Sequence, residues 1–511
     1  MELTAPGAAR LRRFSFLQKL VLAALLVALA DSLFFFQRWG STLGLYAAAL
    51  LVSVLLTRPA IGRSKPALAA AAAALLFAAT LADDPSLLAA ALFWVALSLA
   101  ALLPRNRFDD GWRWTKRLLL HVLTSPAGPA RDWARLRASR GRRGPLGVSR
   151  ALPHLVLPLL GTILFLALFS AANPLIGDAF GRVDVFLLFG GLSLWRLLFW
   201  LLVTVLVWSA LRPARVRLMP AVPGADHSTL PGVTPASVAL SLLAFNLVFA
   251  LQNGLDLAFL WSGAPFPEGV TMAEYAHRGA YPLIATALLA GLFVLVTLRP
   301  GSATAASPLI RRLVYLWIAQ NVLLVASTML RTADYIEAYS LTRLRIAALI
   351  WMGLVALGLL LICYRFWRGK SGAWLINANL ACAGLVLAAC AFIDLGAAAA
   401  SWNVRHSRDA GGHGASLDLC YLTQLGPSAL LPLIELESRL RDPAVRDRVA
   451  WARNLAMDRL EPAQADWHGW TLRGHRHLTA AHRLVAERRL PRHAAGRRSC
   501  DGYALTAAPG R

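Results

Sequence analysis

Carboxylates are in short supply. In 511 residues there are 27 Asp and Glu against 52 Lys and Arg, a formal charge of +25, and charged residues of all kinds make up only 15%. Soluble domains carry roughly a quarter charged residues, so the deficit excludes an ordinary soluble enzyme or binding protein. Cysteine is also scarce, five in all, and the five do not stand at zinc-ligand spacing. Ten-residue segments of strict apolar/polar alternation are missing, which excludes a transmembrane β-barrel. There is no HExxH, no GxSxG and no phosphate-binding GxxxxGK[ST] loop. Nor is there a run of His and carboxylate at metal spacing. No cofactor and no metal are therefore expected.

What is present is apolar and long. Hydrophobic residues make up 57% and the mean hydropathy is +0.55. About 20 apolar residues span a bilayer as a helix, and a backbone in lipid must satisfy its own hydrogen bonds. The reading is an all-α, polytopic transmembrane bundle of eleven spans. They fall at about 18–36, 42–57, 67–82, 87–103, 152–171, 196–211, 237–260, 281–298, 313–330, 346–364 and 373–399.

Basic residues orient it. Arg10, Arg12, Arg13 and Lys19 precede the first span, and Arg58, Arg63 and Lys65 follow the second. The loop at 104–150 holds twelve Lys and Arg, and Arg212, Arg215 and Arg217 come next in the same alternation, followed by Arg299, Arg311 and Arg312, then Arg365, Arg368 and Lys370. The alternate loops have few; the third offers Asp83 and Asp84 instead. The N-terminus is thus expected inside and the C-terminus outside. Four spans occupy 1–103, a basic cytoplasmic loop 104–150, seven spans with polar outer loops 151–400, and an outer helical domain with a basic tail 401–511.

The first span, "RLRRFSFLQKLVLAALLVALADS", has the charge order of a signal peptide and an Ala28-Leu29-Ala30 like a cleavage site. Its apolar run continues to Phe36, which favours a retained span. In the 104–150 loop, "RNRFDDGWRWTKRLLLHVLT" and "RDWARLRASRGRRG" interleave basic residues with Trp and Leu. That is the pattern of amphipathic helices lying on the inner leaflet. The positive charge therefore points to the lipid bilayer, with anionic lipids at this loop, and to a possible protein partner there. It does not point to nucleic acid.

Cys363, Cys382 and Cys390 lie in spans as small hydrophobes. Cys420 and Cys500 fall in the outer segment, where an oxidising compartment would permit a disulfide; their pairing is left open. The tract "HGWTLRGHRHLTAAH", with His468, His475, His477 and His482, fits a basic helical surface better than a metal site.

The stretch "LQNGLDLAFL", residues 251–260, carries polar groups into a span. At 100° per residue, Asn246, Asn253 and Asp256 share less than a quarter of the helix circumference. Span nine repeats the layout, with Gln320 and Asn321 at mid-helix and Arg331 ten residues beyond Asn321. Outer loops add Glu268, Glu274, Tyr275, His277 and Arg278, then Asp334, Tyr335, Glu337, Tyr339, Arg343 and Arg345, and Asp394 lies close to the outer surface in span eleven. Two explanations compete. Polar residues in spans join helices by hydrogen bonds worth about 0.5–2 kcal/mol each. An aspartate within a span costs about 2.5–3.5 kcal/mol, which marks a functional site by default. Asp256 is expected to be ionised and paired with Arg331 or Arg343.

The segments "FLWSGAPFPEGVTMAEYAHRGAYPLIATALL", "SPLIRRLVYLWIAQNVLLVASTMLRTADYIEAYSLTRLRIAALIWM" and "GAWLINANL" resemble a family of bacterial polytopic membrane proteins classed as a domain of unknown function. The likeness extends to "ADSLFFFQRWG", "LDLCYLTQLGPSALLPLIEL" and "DWHGWTLR", and fades after about residue 485, where the chain reads as a solvated basic extension. It implies the topology and brings no activity. Three functions follow: a transporter-like or signalling-accessory protein binding a ligand or partner at its outer face; an enzyme on lipid-linked substrates with Glu274, Asp334 or Glu337 as base; and a structural scaffold.

Overall fold

The computed structural model describes residues 16–106, 108–139, 193–213, 234–261, 289, 293, 307–491, 493 and 496–505. Among them the chain is helical, and its one β feature is an isolated bridge between Arg498 and Ala504. The helices are α1 (Phe16–Phe34), α2 (Thr42–Thr57), α3 (Lys65–Asp83), α4 (Leu87–Leu102), α5 (Gly111–Thr124), α6 (Gly128–Ser139), α7 (Leu194–Leu211) and α8 (Pro235–Asp256). They continue with α9 (Pro308–Tyr339), α10 (Arg343–Trp367), α11 (Gly372–Phe392), α12 (Leu395–His406), α13 (Leu419–Gln424), α14 (Pro427–Arg439), α15 (Pro443–Ala465) and α16 (Leu472–Glu487). Spans five and eight, apart from Leu289 and Phe293, lie outside the described residues.

Seven of these helices are long and apolar enough to cross a membrane: α1, α3, α7, α8, α9, α10 and α11; α2 and α4 are shorter and equally apolar. The protein is an all-α membrane protein. Helix starts are written in the sequence. Ser86, Ser193, Thr234, Ser307, Thr342 and Ser371 each accept the backbone N–H of the residue three positions on, opening α4, α7, α8, α9, α10 and α11. A side-chain oxygen there satisfies an amide that has no partner within the helix.

Two ends differ from expectation. Span nine was expected to stop at 330, yet α9 runs to Tyr339, because nothing breaks it before Ser340, which takes a positive φ of 69°. Span eleven was expected to run unbroken to 399. Instead α11 ends at Phe392, and the Asp394 carboxylate accepts the Ala397 N–H at 2.9 Å to open α12. An aspartate competes for backbone amides and so favours a cap over a helix interior.

The helices fall into two compact units. In the first, α3 packs on α2 and α4, and α1 on α7. Gly44 allows α2 to approach α3 closely: a Cβ there would stand 2.6 Å from the Ala82 Cβ, and Ser41 Oγ donates to the Ala82 carbonyl. Residues 467–471 belong to this unit. The Ser41 N–H donates to the Trp470 carbonyl at 2.7 Å, and Gly40 sits against the His468 carbonyl where no Cβ would fit.

In the second unit, α8 packs on α9, α9 on α10, and α10 on α11. Their core holds Val238, Leu242, Trp317, Ile318, Met352 and Leu359, with Phe245 and Phe249 against the Trp317 ring at 5.3 and 5.8 Å. The helices α12 to α16 bury two apolar clusters, one around Leu419, Leu422, Leu433 and Val449, the other around Leu430, Ile434, Leu460 and Ala481. Cys420 and Cys500 form a disulfide. The chain after residue 485 is therefore not the free extension expected: Arg498 pairs with Asp447 at 2.6 Å, Arg448 Nε donates to the Asp501 carbonyl at 2.8 Å, and the Arg448 guanidinium covers the Tyr503 ring. Spacing along the chain does not show that a short tail will be tied back by a crosslink.

Candidate functional site

The helices α8 and α9 run parallel, and their polar stripes face each other. Asn246 Nδ2 donates to the Leu313 carbonyl at 3.1 Å, and Gln320 Nε2 donates to Asn246 Oδ1 at 2.7 Å. Two turns further along each helix, Asn253 Nδ2 donates to the Gln320 carbonyl at 3.1 Å. Next comes the ion pair of Asp256 with Arg331, supported by Gln252 Nε2 donating to the same carboxylate at 3.0 Å. The ladder ends where α8 widens into a π-type turn, Leu257–Trp261, from which Trp261 Nε1 donates to Ser327 Oγ at 3.1 Å. Asn321 takes no part across the interface; its amide donates to the Trp317 carbonyl of its own helix at 2.8 Å.

The ladder is enclosed. Asp256 is 0% and Arg331 6% exposed. A buried pair of this kind holds position, and its Coulombic attraction is largely offset by the desolvation of both ions. Chemically, a carboxylate fixed on a guanidinium and shielded from water is a poor general base and has no open side for a ligand.

The remaining expected site residues do not converge on this ladder. The Arg343 N–H donates to the Tyr421 hydroxyl at 2.8 Å and its guanidinium to Ser428 Oγ at 3.2 Å, which ties α10 to the C-terminal helices. Arg345 donates to the Tyr339 carbonyl at 2.6 Å and to that of Ser340, closing the α9–α10 turn, and stacks over the Tyr335 ring at 4.4 Å. Asp394, besides capping α12, faces Arg473 at 3.8 Å. Asp334, half-buried, and Glu337, exposed, stand one turn apart at the end of α9 and form no ion pair among the described residues. Glu274, His277 and Arg278 lie outside the described residues.

Among the C-terminal helices the structure adds a pair that sequence reading missed. Glu437 Oε2 lies 2.8 Å from Arg453 Nη1, both essentially inaccessible. Burial pushes the Glu437 carboxyl up, against the opposing pull of Arg453 and Arg446. The same guanidinium donates to the Pro491 carbonyl at 2.7 Å. In the His tract, His477 faces the Pro427 carbonyl and His482 pairs with Glu461. The only cluster with ligand spacing among the described residues is Cys420, Cys500 and Asp501, and the disulfide already uses both sulfurs.

Sequence reading also missed a site in the first unit. Lys19, Arg58 and Arg212, taken there as markers of orientation, line a common pocket with Arg105, Arg131 and Arg135. Their alternation along the chain was visible, but their convergence was not, because five separate segments supply them.

No curated protein and no solved structure matches the chain. One family does, over residues 66–436, so the likeness is narrower than the sequence reading set it: "ADSLFFFQRWG" and "DWHGWTLR", which meet where the His468 ring faces the Ser32 carbonyl at 3.3 Å, fall outside it. The match takes in well over half of the residues, and the chain belongs to the family described as "Domain of unknown function (DUF4153)".

Proposed function

We propose that the protein resides in the bacterial cytoplasmic membrane, N-terminus inside, and binds a ligand or protein partner at its outer face without covalent catalysis, as a transporter-like or signalling-accessory protein. The observation that carries this reading is the disulfide-closed helical body α12 to α16. A Cys420–Cys500 bond persists in an oxidising compartment and is rare in a reducing one, which supports an extracytoplasmic position for these helices. Side chains available for chemistry at the outer ends of α8 to α11 are largely committed to structure: Asp256 to Arg331, Asp394 to a helix cap, Arg343 and Arg345 to interhelical and turn contacts. An enzyme on lipid-linked substrates needs a free base beside free arginines, and among the described residues Arg331, Arg343 and Arg345 are engaged elsewhere.

Lipid and metabolite profiling of a deletion strain tests the proposal. An unchanged set of lipid-linked precursors together with lost uptake or signalling supports binding. Accumulation of one precursor, relieved by the wild-type chain and not by a Glu337→Gln variant, would transfer the function to catalysis.

A further inference from the structure

The pocket lined by Lys19, Arg58, Arg105, Arg131, Arg135 and Arg212 encloses about 620 Å³. It lies at one end of the first unit, where α1 begins, α2, α4 and α7 end, and α6 crosses. Its one acidic lining residue is Asp132, which is already engaged by Trp208 Nε1 at 3.0 Å, Arg212 at 3.2 Å and Arg135 at 3.6 Å. Arg58 is the most telling member. It is 9% exposed, one nitrogen donates to the Ala101 carbonyl at 2.7 Å, and its buried Nε–H has no acceptor among the described residues. Burial beside Arg105 and Arg212 pulls the Arg58 guanidinium down to about 9. An arginine rarely gives up its proton, so the strain is relieved more readily by an anion. Phosphate oxygens match guanidinium donors in geometry and charge.

A second, apolar cavity of about 760 Å³ begins beside it and shares Phe16. It follows α1 past Ala23, Ala24, Val27 and Ala28 as far as Asp31, with Trp200 and Val205 of α7 on the opposite wall. At 1.5 Å per residue, Phe16 to Asp31 spans about 22 Å, longer than one leaflet of a hydrocarbon core about 30 Å thick. Helix α6 divides the two spaces. Arg131, Asp132 and Arg135 face the cationic pocket, whereas Pro129, Ala130 and Trp133 face the apolar one. The basic amphipathic segment of the sequence thus separates a charged compartment from a greasy one. At the far end, Asp31 is held by Arg196 and by Trp200 Nε1 at 2.8 Å, so the groove closes on a neutralised pair.

We infer that these two spaces form one binding site for an anionic amphiphile, with its phosphate among Lys19, Arg58, Arg131 and Arg212 and its hydrocarbon tail in the groove between α1 and α7. A bilayer phospholipid and a polyprenyl phosphate share this chemistry. The site is separate from the outer-face reading and stands without it.

Native mass spectrometry of the full chain, purified in mild detergent and then exchanged into vesicles of phosphatidylcholine with or without phosphatidylglycerol, tests the inference. One phosphate lipid per chain is expected to survive delipidation, and its mass separates a phospholipid from a polyprenyl phosphate. Arg131→Gln with Arg135→Gln, both on the exposed side of α6, should cut retention at least about tenfold, as the loss of charged hydrogen bonds implies. The Lys pair at the same positions should keep most of it. Ala24→Trp, which fills the groove from an exposed position, should lower retention as well. Three results would overturn the inference: no retained phosphate lipid, retention indifferent to both changes, or retention that survives Ala24→Trp while inorganic phosphate displaces the ligand completely. The last would leave an anion pocket without a tail site.

Discussion

At the scale of single residues, Asp256 shows how far charge can be read from a sequence. A carboxylate inside an apolar run needs a cation, and of the two candidates Arg331 and Arg343 the matching intervals of ten residues, Asn246 to Asp256 and Asn321 to Arg331, slightly favour Arg331. The structure supplies that pair. Removing one partner leaves an uncompensated buried ion, so Asp256→Ala should lower stability by about 3–5 kcal/mol. Thermal unfolding in detergent should show the double variant Asp256→Ala, Arg331→Ala to be more stable than Asp256→Ala alone. A double variant that is worse by the sum of both single losses would mean the two residues are not coupled. The Glu437–Arg453 pair had no such signal, since an acidic residue in an amphipathic helix normally faces water. Its enclosure is a product of tertiary packing between α14 and α15.

At the scale of elements, apolar run lengths placed most of the described spans to within a few residues, and they failed where a side chain overrules hydropathy. Asp394 ends span eleven early by capping, and α9 outruns its apolar stretch, carrying the paired Arg331 within it, to the positive φ of Ser340. Close helix approach is equally invisible to hydropathy. Gly44 sits against Ala82, so Gly44→Leu should destabilise the α2–α3 contact by about 1–3 kcal/mol through overpacking, measured as a lower unfolding temperature. An unchanged temperature would mean the helices can part at no cost. Among the C-terminal helices, the disulfide closes a separation of 80 residues. In the chain-entropy account that is worth about 4–5 kcal/mol. Cys420→Ser should therefore expose the apolar clusters of α13 to α16 to proteolysis, with cleavage sites moving into 419–505; a digest identical to the wild type would show that packing alone holds these helices.

At the scale of the whole molecule, the first unit has two unlike ends. The basic residues that alternate along the chain gather, in the first unit, at the end where α1 starts. The turn after α1, at its opposite end, packs on residues 467–471 of the C-terminal region. In the proposed orientation the first end faces the cytoplasm, in line with the positive-inside tendency, and the C-terminal helices face an oxidising compartment, in line with the disulfide. The proposed outer-face binding depends on this orientation, whereas the proposed lipid site does not. Single cysteines at Arg140, Glu274 and Arg441, in a chain whose Cys363, Cys382 and Cys390 are replaced by alanine, test it in intact cells with a membrane-impermeant maleimide. The account predicts labelling at 274 and 441 and none at 140 until the membrane is broken. Labelling at 140 in intact cells, with 274 and 441 protected, would contradict it.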